Sequence, residues 1–247
     1  LSLFSVFYYL ILSFIYILAI PYLIFKSRNS KYTKAIPAKF FLKDNIPFKE
    51  NGIWFHSCSM GETKAIKPLI DNYLENANIS VITNTGFEEA KKISSNVRYL
   101  PFEIFLPFWV NKQKVLVVME AELWYLLFLF AKKKGAKTLL INARISDKSY
   151  KSYKRFSFFY KRIFQNIDKV FAQSEVDKYR LEELGASNVE VIGNIKLAQL
   201  PKRRALFEKP NITTIVAAST HEGEEELILN SYKKEFGKLI IVPRHPE

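Results

Sequence analysis

The chain has 247 residues, with 37 Lys and Arg against 24 Asp and Glu, so its net charge is +13 at pH 7. This length is enough for one large domain or two small domains with a real core. The basic excess predicts an anionic partner, such as nucleic acid, phospholipid headgroups or a phosphorylated substrate. The single cysteine, Cys58, excludes an internal disulfide and a zinc cluster built on cysteines, and it favours a reducing compartment.

The first 25 residues contain no charged side chain and are rich in Leu, Ile, Phe and Tyr. This stretch is long enough to cross a hydrocarbon core of ~30 Å. No basic segment precedes it and no small-residue cleavage site follows it, so a retained anchor is favoured over a cleaved signal peptide. Residues 26–50 form a basic juxtamembrane segment that begins with Lys26, Arg28 and Lys31. This bias predicts a single-pass anchor followed by a cytoplasmic domain close to anionic lipid.

From residue 51 onward, short apolar runs alternate with helical patterns. The predicted strands are 53–58, 79–83, 97–100, 115–119, 138–142, 170–173 and 189–192, and the predicted helices begin near Gly61, Phe87, Glu122, Lys151 and Glu175. This order predicts an α/β domain over residues 51–195, with a parallel sheet covered on both faces.

The apolar residues of 196–211 show neither helical nor strand periodicity, and this segment is predicted to be a linker. The alternation restarts in residues 212–247, with strands 213–218 and 238–242 on either side of a helix over 221–236. Two strands are too few to close a core, so we expect this second domain to be incomplete and the chain to be a C-terminally truncated piece of a longer protein.

Glu62 stands where the predicted strand 53–58 turns into a helix, in the segment Ser59-Met60-Gly61-Glu62. Open α/β sheets bind ligands at the carboxyl ends of their strands, so this carboxylate is a candidate catalytic group. The spacing from Ser59 to Glu62 also fits a capping box, in which the carboxylate only satisfies backbone N–H groups. The same signature recurs at Thr85/Glu88, Ser174/Asp177 and Ser219/Glu222, so both interpretations remain open.

Two further strands end in charged residues on the same predicted edge. Glu120 and Glu122 follow the strand 115–119, and Arg144 follows the strand 138–142. Acids are common at helix starts because they complement the helix dipole. Arg144 would suit a carboxylate or phosphate, and a salt bridge to Glu120 or Glu122 is the alternative.

Residues 148–164 interleave basic and aromatic side chains. Such a pattern is typical of single-stranded nucleic-acid binding, but beside a membrane anchor it equally suits anionic lipid. The anchor favours lipid, so we predict no nucleic-acid partner.

The second domain repeats the strand-to-helix turn with Ser219, Thr220 and His221, and the next strand ends in Arg244 and His245. A helix start with hydroxyls and nearby cations is suited to a phosphate. The chain contains no Asp-x-Asp pair, no P-loop and no H-E-x-x-H motif. These absences disfavour a metal-dependent nucleotide-sugar transferase and a nucleoside triphosphatase, and we predict no metal site and no cofactor.

Taken together, the motifs resemble a known family. In chain order they are His56-Ser57-Cys58-Ser59-Met60-Gly61-Glu62, Met119-Glu120-Ala121-Glu122-Leu123-Trp124, Asn142-Ala143-Arg144-Ile145-Ser146, Ala172-Gln173-Ser174-Glu175, Gly193-Asn194-Ile195-Lys196, Ala217-Ala218-Ser219-Thr220-His221-Glu222-Gly223-Glu224-Glu225 and Val242-Pro243-Arg244-His245-Pro246-Glu247. Behind an apolar anchor, this series resembles the Kdo transferases, the 3-deoxy-D-manno-octulosonic acid transferases of lipopolysaccharide assembly.

The resemblance implies a B-type glycosyltransferase, in which two Rossmann-like domains face each other across a cleft at the cytoplasmic face of a Gram-negative inner membrane. The first domain would bind the acceptor and the second the donor. The family transfers Kdo from CMP-Kdo to a lipid A precursor, lipid IVA, with inversion and without a metal. The later glycine-rich and acidic nucleotide-binding segments of the family are absent here, so we expect this piece to be inactive alone.

The resemblance also assigns roles to individual residues. Glu62 matches the proposed general base of the Ser-x-Gly-Glu motif, which contributes Ser59 and Gly61 to substrate binding. Of the acidic pair Glu120 and Glu122, the second is the favoured functional residue. The residues expected to bind the donor's cytidine monophosphate are Ser219, Thr220, His221, Gly223, Glu224, Arg244 and His245. Cys58 and Met60 depart from the small or aliphatic residues typical of the family.

Two alternatives remain open at this point. One is a B-type transferase that uses another nucleotide sugar. The other is a noncatalytic, membrane-tethered module that binds anionic lipid or nucleic acid through residues 26–43 and 148–164.

Overall fold

The structure is a computed structural model that describes residues 2–199 and 210–244. The chain forms two compact units, Leu1–Leu200 and Pro201–Glu247. The predicted linker 196–211 falls largely outside the described residues, apart from the end of the 3-10 turn Ile195–Gln199 and the residues just before the second unit's first strand.

The first unit begins with two helices, α1 (Leu3–Ser27) and α2 (Ala35–Phe41). By length and composition α1 could cross a membrane, and it continues through Pro21 without ending there. Residues 26–50 are more than a basic segment, because they contain α2, whose Ala35 and Ala38 pack into the core beneath the sheet.

A parallel seven-stranded sheet follows. Its strands are β1 (Ile53–Ser57), β2 (Ala77–Val81), β3 (Val97–Tyr99), β4 (Val115–Met119), β5 (Lys137–Ala143), β6 (Lys169–Ala172) and β7 (Val189–Val191). The helices between and after them are α3 (Met60–Asp71), α4 (Asn84–Lys91), α5 (Leu106–Trp109), α6 (Tyr125–Lys133), α7 (Asp147–Arg155), α8 (Ser157–Phe164) and α9 (Glu175–Glu183).

The strand order in this sheet is β3-β2-β1-β4-β5-β6-β7. β1 is an interior strand, since Phe55 pairs in register with Ile79 of β2 on one side and Val117 of β4 on the other. In chain order, β2 and β3 add to one side of β1, and β4 to β7 then add to its other side. The carboxyl ends of β1 and β4 therefore flank the switch point, where doubly wound sheets leave a crevice for ligands.

The sheet is covered on both faces, as the continuous apolar runs in its strands predict. Alternate residues of β1 belong to different core clusters. Trp54 packs with Leu116 and Phe128, and Phe55 packs with Ile79 and Val117. α6 and α8 cover the Trp54 face, and α3 covers the Phe55 face.

The second unit contains β8 (Thr214–Thr220), α10 (Glu224–Ser231) and β9 (Lys238–Pro243). β8 and β9 pair in parallel. Most residues of β8 are exposed, and large apolar side chains such as Val216 and Val242 remain uncovered in this unit.

The α/β class and the parallel sheet are confirmed, and the predicted strands match the observed ones to within two residues at each end. The arrangement of two facing Rossmann-like domains stays a prediction. Helix boundaries differ more. The helix predicted to begin near Lys151 is two helices that meet at Phe156, whose backbone is not helical (φ −106°, ψ 30°).

The helix predicted over 221–236 is shorter than expected. It starts at Glu224 because Gly223 adopts a left-handed conformation (φ 88°) as its N-cap, and it ends where Tyr232 becomes extended. A separate 3-10 turn, Lys234–Phe236, leads to Gly237. A Cβ at Gly237 would lie 2.1 Å from the carbonyl oxygen of Thr213, so only glycine allows this close approach before β9.

Candidate functional site

Three carboxylates meet at the switch point of the first unit. Glu62 lies in the first turn of α3 after β1, and Glu120 and Glu122 follow β4 directly. Because β1 and β4 are neighbours, their carboxyl ends bring these acids within electrostatic reach of one another. The predicted convergence of these strand ends on one edge is therefore present in the fold.

Glu62 is held by the turn that precedes it. Ser59 is the N-cap of α3, and its hydroxyl donates to Glu62 Oε1 at 3.0 Å while it accepts from the Glu62 amide at 3.4 Å. The other carboxylate oxygen, Oε2, accepts from the Cys58 amide at 2.7 Å. The Ser59 half of the predicted capping box thus forms, whereas the carboxylate binds the amide one residue before the N-cap, and the two sets of bonds orient a half-buried carboxylate at the ligand edge. Structural and catalytic roles are compatible in this residue.

Burial is the main reason that the pKa of Glu62 is raised above its usual value, and the negative charges of Glu120 and Glu122 add to this. The hydrogen bonds from Cys58 and Ser59 act in the opposite direction without cancelling it. A carboxylate whose pKa is moved toward neutrality is better matched to proton transfer.

Gly61 leaves open space beside this carboxylate. A Cβ built at position 61 would meet only the Ser59 hydroxyl oxygen, at 4.0 Å, and Gly61 is exposed. The fold itself therefore imposes no steric need for glycine at this position, which is open to solvent.

Glu122 is bound by different partners. Trp124 Nε1 donates to its Oε2 at 2.7 Å, and Nε2 of His56 lies 3.9 Å from the same oxygen. Burial alone would raise the pKa of Glu122. The interactions with His56, Trp124 and the Cys58 thiol outweigh burial and lower this pKa. Glu122 therefore favours its charged form, in contrast to Glu62.

His56 is fully buried in β1, directly behind Glu122. Its Nδ1 lies 2.8 Å from the Ser80 hydroxyl oxygen and 3.1 Å from the Ser80 carbonyl oxygen. Its Nε2 has no hydrogen-bond partner within the described residues. Sequence reasoning did not select His56, although a histidine inside a buried apolar strand is a signal that could have found it.

Glu120 is engaged in a different set of contacts. Its Oε1 pairs with Lys196 Nζ at 2.5 Å and accepts from Asn142 Nδ2 at 3.3 Å. Asn142 Oδ1 in turn accepts from the Ile195 amide at 3.0 Å. Glu120 and Asn142 both have φ of 54°, so the backbone is strained directly after β4 and at an irregularity near the end of β5. Lys196 is a further residue that sequence reasoning did not assign to the site.

Arg144 lies beyond the end of β5 and is exposed. The salt bridge to Glu120 or Glu122 that we considered is not formed, and within residues 2–199 and 210–244 Arg144 has no ion pair. Its guanidinium therefore remains open to an anion.

An apolar groove lies next to the carboxylates. It is lined by Lys39 of α2, Ile82, Leu100, Phe102 and Trp124, the last of which also binds Glu122. Lys39 donates to the Ile82 carbonyl oxygen at 3.2 Å, and burial lowers its pKa. Burial also disfavours the charged form of the nearby Cys58 thiol. It raises the pKa of this thiol to about 12, so the cysteine stays protonated.

The turn after β8 in the second unit places the predicted donor-binding residues around the start of α10. Thr220 is buried, and its hydroxyl oxygen makes no hydrogen bond of good geometry within the described residues, although it is near enough to Glu225 to lower the pKa of that carboxyl group. Its carbonyl oxygen accepts from the Arg244 amide at 3.0 Å, which places the two residues side by side. Arg244 is exposed.

The other described residues around this turn shape its backbone conformation. Ser219 has φ of 60°, and Gly223 is the left-handed N-cap of α10. Glu224 Oε2 accepts from the His221 amide at 2.8 Å and lies 3.6 Å from the His221 ring. His245 lies outside the described residues. Among the residues that are described, no group of three His, Cys, Asp or Glu is arranged to hold a metal ion.

A doubly wound parallel sheet with carboxylates at its switch point defines an α/β enzyme domain that binds its ligand at the carboxyl edge of the strands. Comparison with known proteins identifies the family. The sequence model of the 3-deoxy-D-manno-octulosonic-acid transferases matches residues 28–199. The chain therefore belongs to the Kdo transferase family, which is a family of glycosyltransferases.

Individual relatives agree with this membership. A bifunctional glycosyltransferase/methyltransferase of Fusobacterium nucleatum is 35% identical over 79% of this chain and 34% of its own length. A 3-deoxy-D-manno-octulosonic acid transferase of Rickettsia felis is 35% identical over 79% of this chain and 47% of its own length. One from Chlamydia pneumoniae is 29% identical over 99% of this chain and 63% of its own length. The chain thus spans about half the length of most curated relatives it matches.

Proposed function

We propose that the full-length protein transfers Kdo from CMP-Kdo to a lipid A precursor, with inversion at the anomeric carbon and without a metal. Family membership supports glycosyl transfer in lipopolysaccharide biosynthesis. The observation that carries the mechanism is the pair Glu62 and Glu122, which lie at one switch point and have pKa values displaced in opposite directions. Such a displacement is typical of carboxylates with different roles in one reaction.

Glu62 acts as the general base in this proposal. Its carboxylate accepts the proton of an acceptor sugar hydroxyl as that oxygen attacks the anomeric carbon of Kdo. The bond from this carbon to the CMP phosphate breaks in the same step, and CMP leaves with the electron pair. The raised pKa of Glu62 makes it a stronger base than an ordinary carboxylate, and the space beside Gly61 admits the acceptor.

Glu122 keeps its negative charge because its pKa is lowered by His56, Trp124 and Cys58 against the effect of burial. It has two roles in this proposal. Its negative charge stabilises the positive charge that develops on the sugar ring in the transition state. The same negative charge raises the pKa of Glu62. Glu120, bound to Lys196, holds the segment after β7 against the site and adds to the same field.

The second unit would bind the departing phosphate. Thr220 at the end of β8 and the exposed Arg244 just after β9 lie side by side, a few residues before α10, and a hydroxyl and a guanidinium at neighbouring strand ends are suited to an anion. His221, Gly223 and Glu224 shape this turn. A cation and a hydroxyl would then do the electrostatic work that a metal ion performs in other transferases.

The acceptor is a lipid, and the apolar helix α1 supports attachment to a membrane. We propose that the chain attaches to the cytoplasmic face of the inner membrane, because the residues directly after α1 are basic and the donor is a nucleotide sugar. The apolar groove beside Trp124 is suited to the first methylene groups of an acceptor acyl chain.

The test is CMP release by the full-length protein in detergent, with CMP-Kdo and lipid IVA, in the presence and absence of a chelator. We expect acceptor-dependent release that survives the chelator, and a product whose mass has increased by whole Kdo units. Release that stops with the chelator would contradict the metal-free mechanism. Release from another nucleotide sugar but not from CMP-Kdo would contradict the proposed donor.

A noncatalytic lipid-binding module is the rival from another class. Membership of a glycosyltransferase family argues against it. Salt-sensitive lipid binding with no CMP release from any donor would favour it over the transferase.

A further inference from the structure

The two faces of α1 have different surroundings. One face packs on the rest of the first unit at helical spacing, and the residues of this face are Phe4, Ser5, Tyr8, Tyr9, Leu12, Tyr16 and, two turns later, Leu23. The opposite face is exposed and consists of large apolar residues, which include Leu3, Phe7, Leu10, Phe14, Leu18 and Phe25. Phe14 is 63% exposed in the middle of the helix and Phe25 is 72% exposed at its end.

Polar contacts on the packed face are spread along the helix. Near its start, the Ser5 hydroxyl lies 2.7 Å from the Tyr125 hydroxyl. One turn later, Tyr8 donates to Glu103 Oε1 at 2.8 Å. In the middle, Tyr16 donates to the Phe40 carbonyl oxygen at 2.5 Å. Leu23, close to the end, is buried. α1 therefore lies against the first unit over most of its length.

This docking is incompatible with a helix that crosses the bilayer. A helix of 25 residues is about 37 Å long at 1.5 Å per residue, so a crossing would place its central turns within the ~30 Å hydrocarbon core. Phe40 of α2, whose carbonyl oxygen binds Tyr16 in these central turns, and its neighbour Lys39 would then be drawn to that depth, and Glu103, which binds Tyr8, would enter the core near its edge. Charged groups are costly there.

We infer that α1 lies in the plane of the membrane, with its exposed face in the boundary between headgroups and acyl chains and its other face on the protein. An interfacial helix normally presents a polar face to water. Here the first unit takes the place of water on that side. The single crossing that hydropathy predicts is replaced by attachment to one leaflet.

Charges near α1 indicate which surface it binds. Lys26 and Arg28 come at its end, and a cleft just beyond is lined by Lys34, Lys43 and Arg98. α8, whose Phe159 packs on Tyr8, adds the exposed Phe158 and two basic residues, and Phe156 just before it is also exposed. An apolar strip next to clustered cations matches a bilayer surface that contains anionic phospholipids.

In-plane attachment also positions the site. Tyr125 and Glu103 link α1 to the start of α6, because Glu103 Oε2 accepts from the Leu126 amide at 2.6 Å. Trp124 and Glu122 directly precede this helix. The carboxylates are therefore held at a constant height above the leaflet, whichever sugar the enzyme transfers.

Site-directed nitroxide labels on the full-length protein test this topology in vesicles of phosphatidylethanolamine and phosphatidylglycerol. The variants are Phe7→Cys, Phe14→Cys and Phe25→Cys, each with Cys58→Ser, because the readout is depth in the bilayer and not turnover. We expect all three labels at a similar depth of about 5–10 Å below the headgroups. A label at position 14 near the bilayer centre, with those at 7 and 25 shallower, would overturn the proposal.

Labelling by a membrane-impermeant maleimide supplies an independent test. We expect Ser2→Cys and Ser30→Cys, in the same Cys58→Ser protein, to react from the same side of sealed vesicles, whereas a crossing helix places them on opposite sides. Magnetic coupling between Phe14 labels in dilute vesicles would show that a second copy covers this face. That result would overturn lipid as its partner.

Discussion

The turn after β1 and the turn after β8 are built from the same residue types, Ser, Gly and Glu, in different surroundings. The first lies at the carboxyl edge of a seven-stranded sheet. Its carboxylate, Glu62, is half-buried and is bound by Ser59 and the Cys58 amide. The second belongs to a two-stranded sheet, where Glu224 is exposed and the Ser219 side chain makes no hydrogen bond to any of the described residues.

The comparison shows that burial decides what each turn can do. Enclosure raises the pKa of Glu62 and prepares it to accept a proton. Among the described residues the Thr220 hydroxyl of the open turn makes no hydrogen bond of good geometry, and the exposed Arg244 lies beside it, so this turn is suited to bind an anion. One turn supplies a base and the other a phosphate site, although their local sequences are alike.

The largest expected effect is on the enclosed turn. We expect Glu62→Gln in the full-length protein to lower the rate of acceptor-dependent CMP release by about 10²- to 10⁴-fold, the usual contribution of a general base. The amide cannot accept the proton but preserves the shape of the side chain. Glu88→Gln, at an exposed site on α4, is the matched control and should leave the rate unchanged. Near-normal release by Glu62→Gln would remove the role given to this residue.

Substitutions in the open turn should weaken binding of the donor, CMP-Kdo. We expect Arg244→Ala and Thr220→Val each to raise the KM for CMP-Kdo by about tenfold or more, because a hydrogen bond to a charged group contributes ~1.5–3 kcal/mol. The value of kcat for Thr220→Val should change less than its KM. Lys234→Ala, in the 3-10 turn of the same unit, is the control. An unchanged KM in both variants would place the phosphate elsewhere.

A third experiment tests the electrostatic difference between the turns. The Glu120 charge raises the pKa of Glu62, so its removal in Glu120→Gln should lower that pKa. Glu62 must be deprotonated to act as a base, and the acid limb of the pH profile of kcat/KM should therefore move to lower pH. Glu75→Gln, which is exposed and remote from the carboxylates, should leave the limb in place. A shift to higher pH would contradict the proposed coupling.

The smallest effect concerns the caps themselves. Ser59→Ala removes the N-cap of α3 and should speed hydrogen exchange in its first turn by about fivefold, since a lost cap costs ~1 kcal/mol. Ser219→Ala should leave exchange at the start of α10 unchanged, because Gly223 is the cap there. Equal effects in the two turns would show that they are more alike than their contacts indicate.

Much of the first unit could be predicted from the sequence. Short apolar runs identified its seven strands, and the residues after them identified Glu62, Glu120 and Glu122 at one edge. Contacts between distant segments could not be predicted. The approach of His56 to Glu122, of Lys196 to Glu120 and of Lys39 to Cys58 depends on how strands and helices pack, and no local pattern reports it.

The sequence by itself determined the α/β class, the succession of strands and helices along the chain and the apolar character of α1, because these depend on local periodicity and composition. Only the tertiary structure decided that β1 and β4 are neighbours, so that two carboxylates with oppositely shifted pKa values share one crevice. It also decided that α1 lies against the first unit. Hydropathy measures how apolar a helix is, whereas the orientation of the helix follows from the groups it contacts. For α1 these are the Tyr125 and Glu103 side chains and the Phe40 carbonyl oxygen.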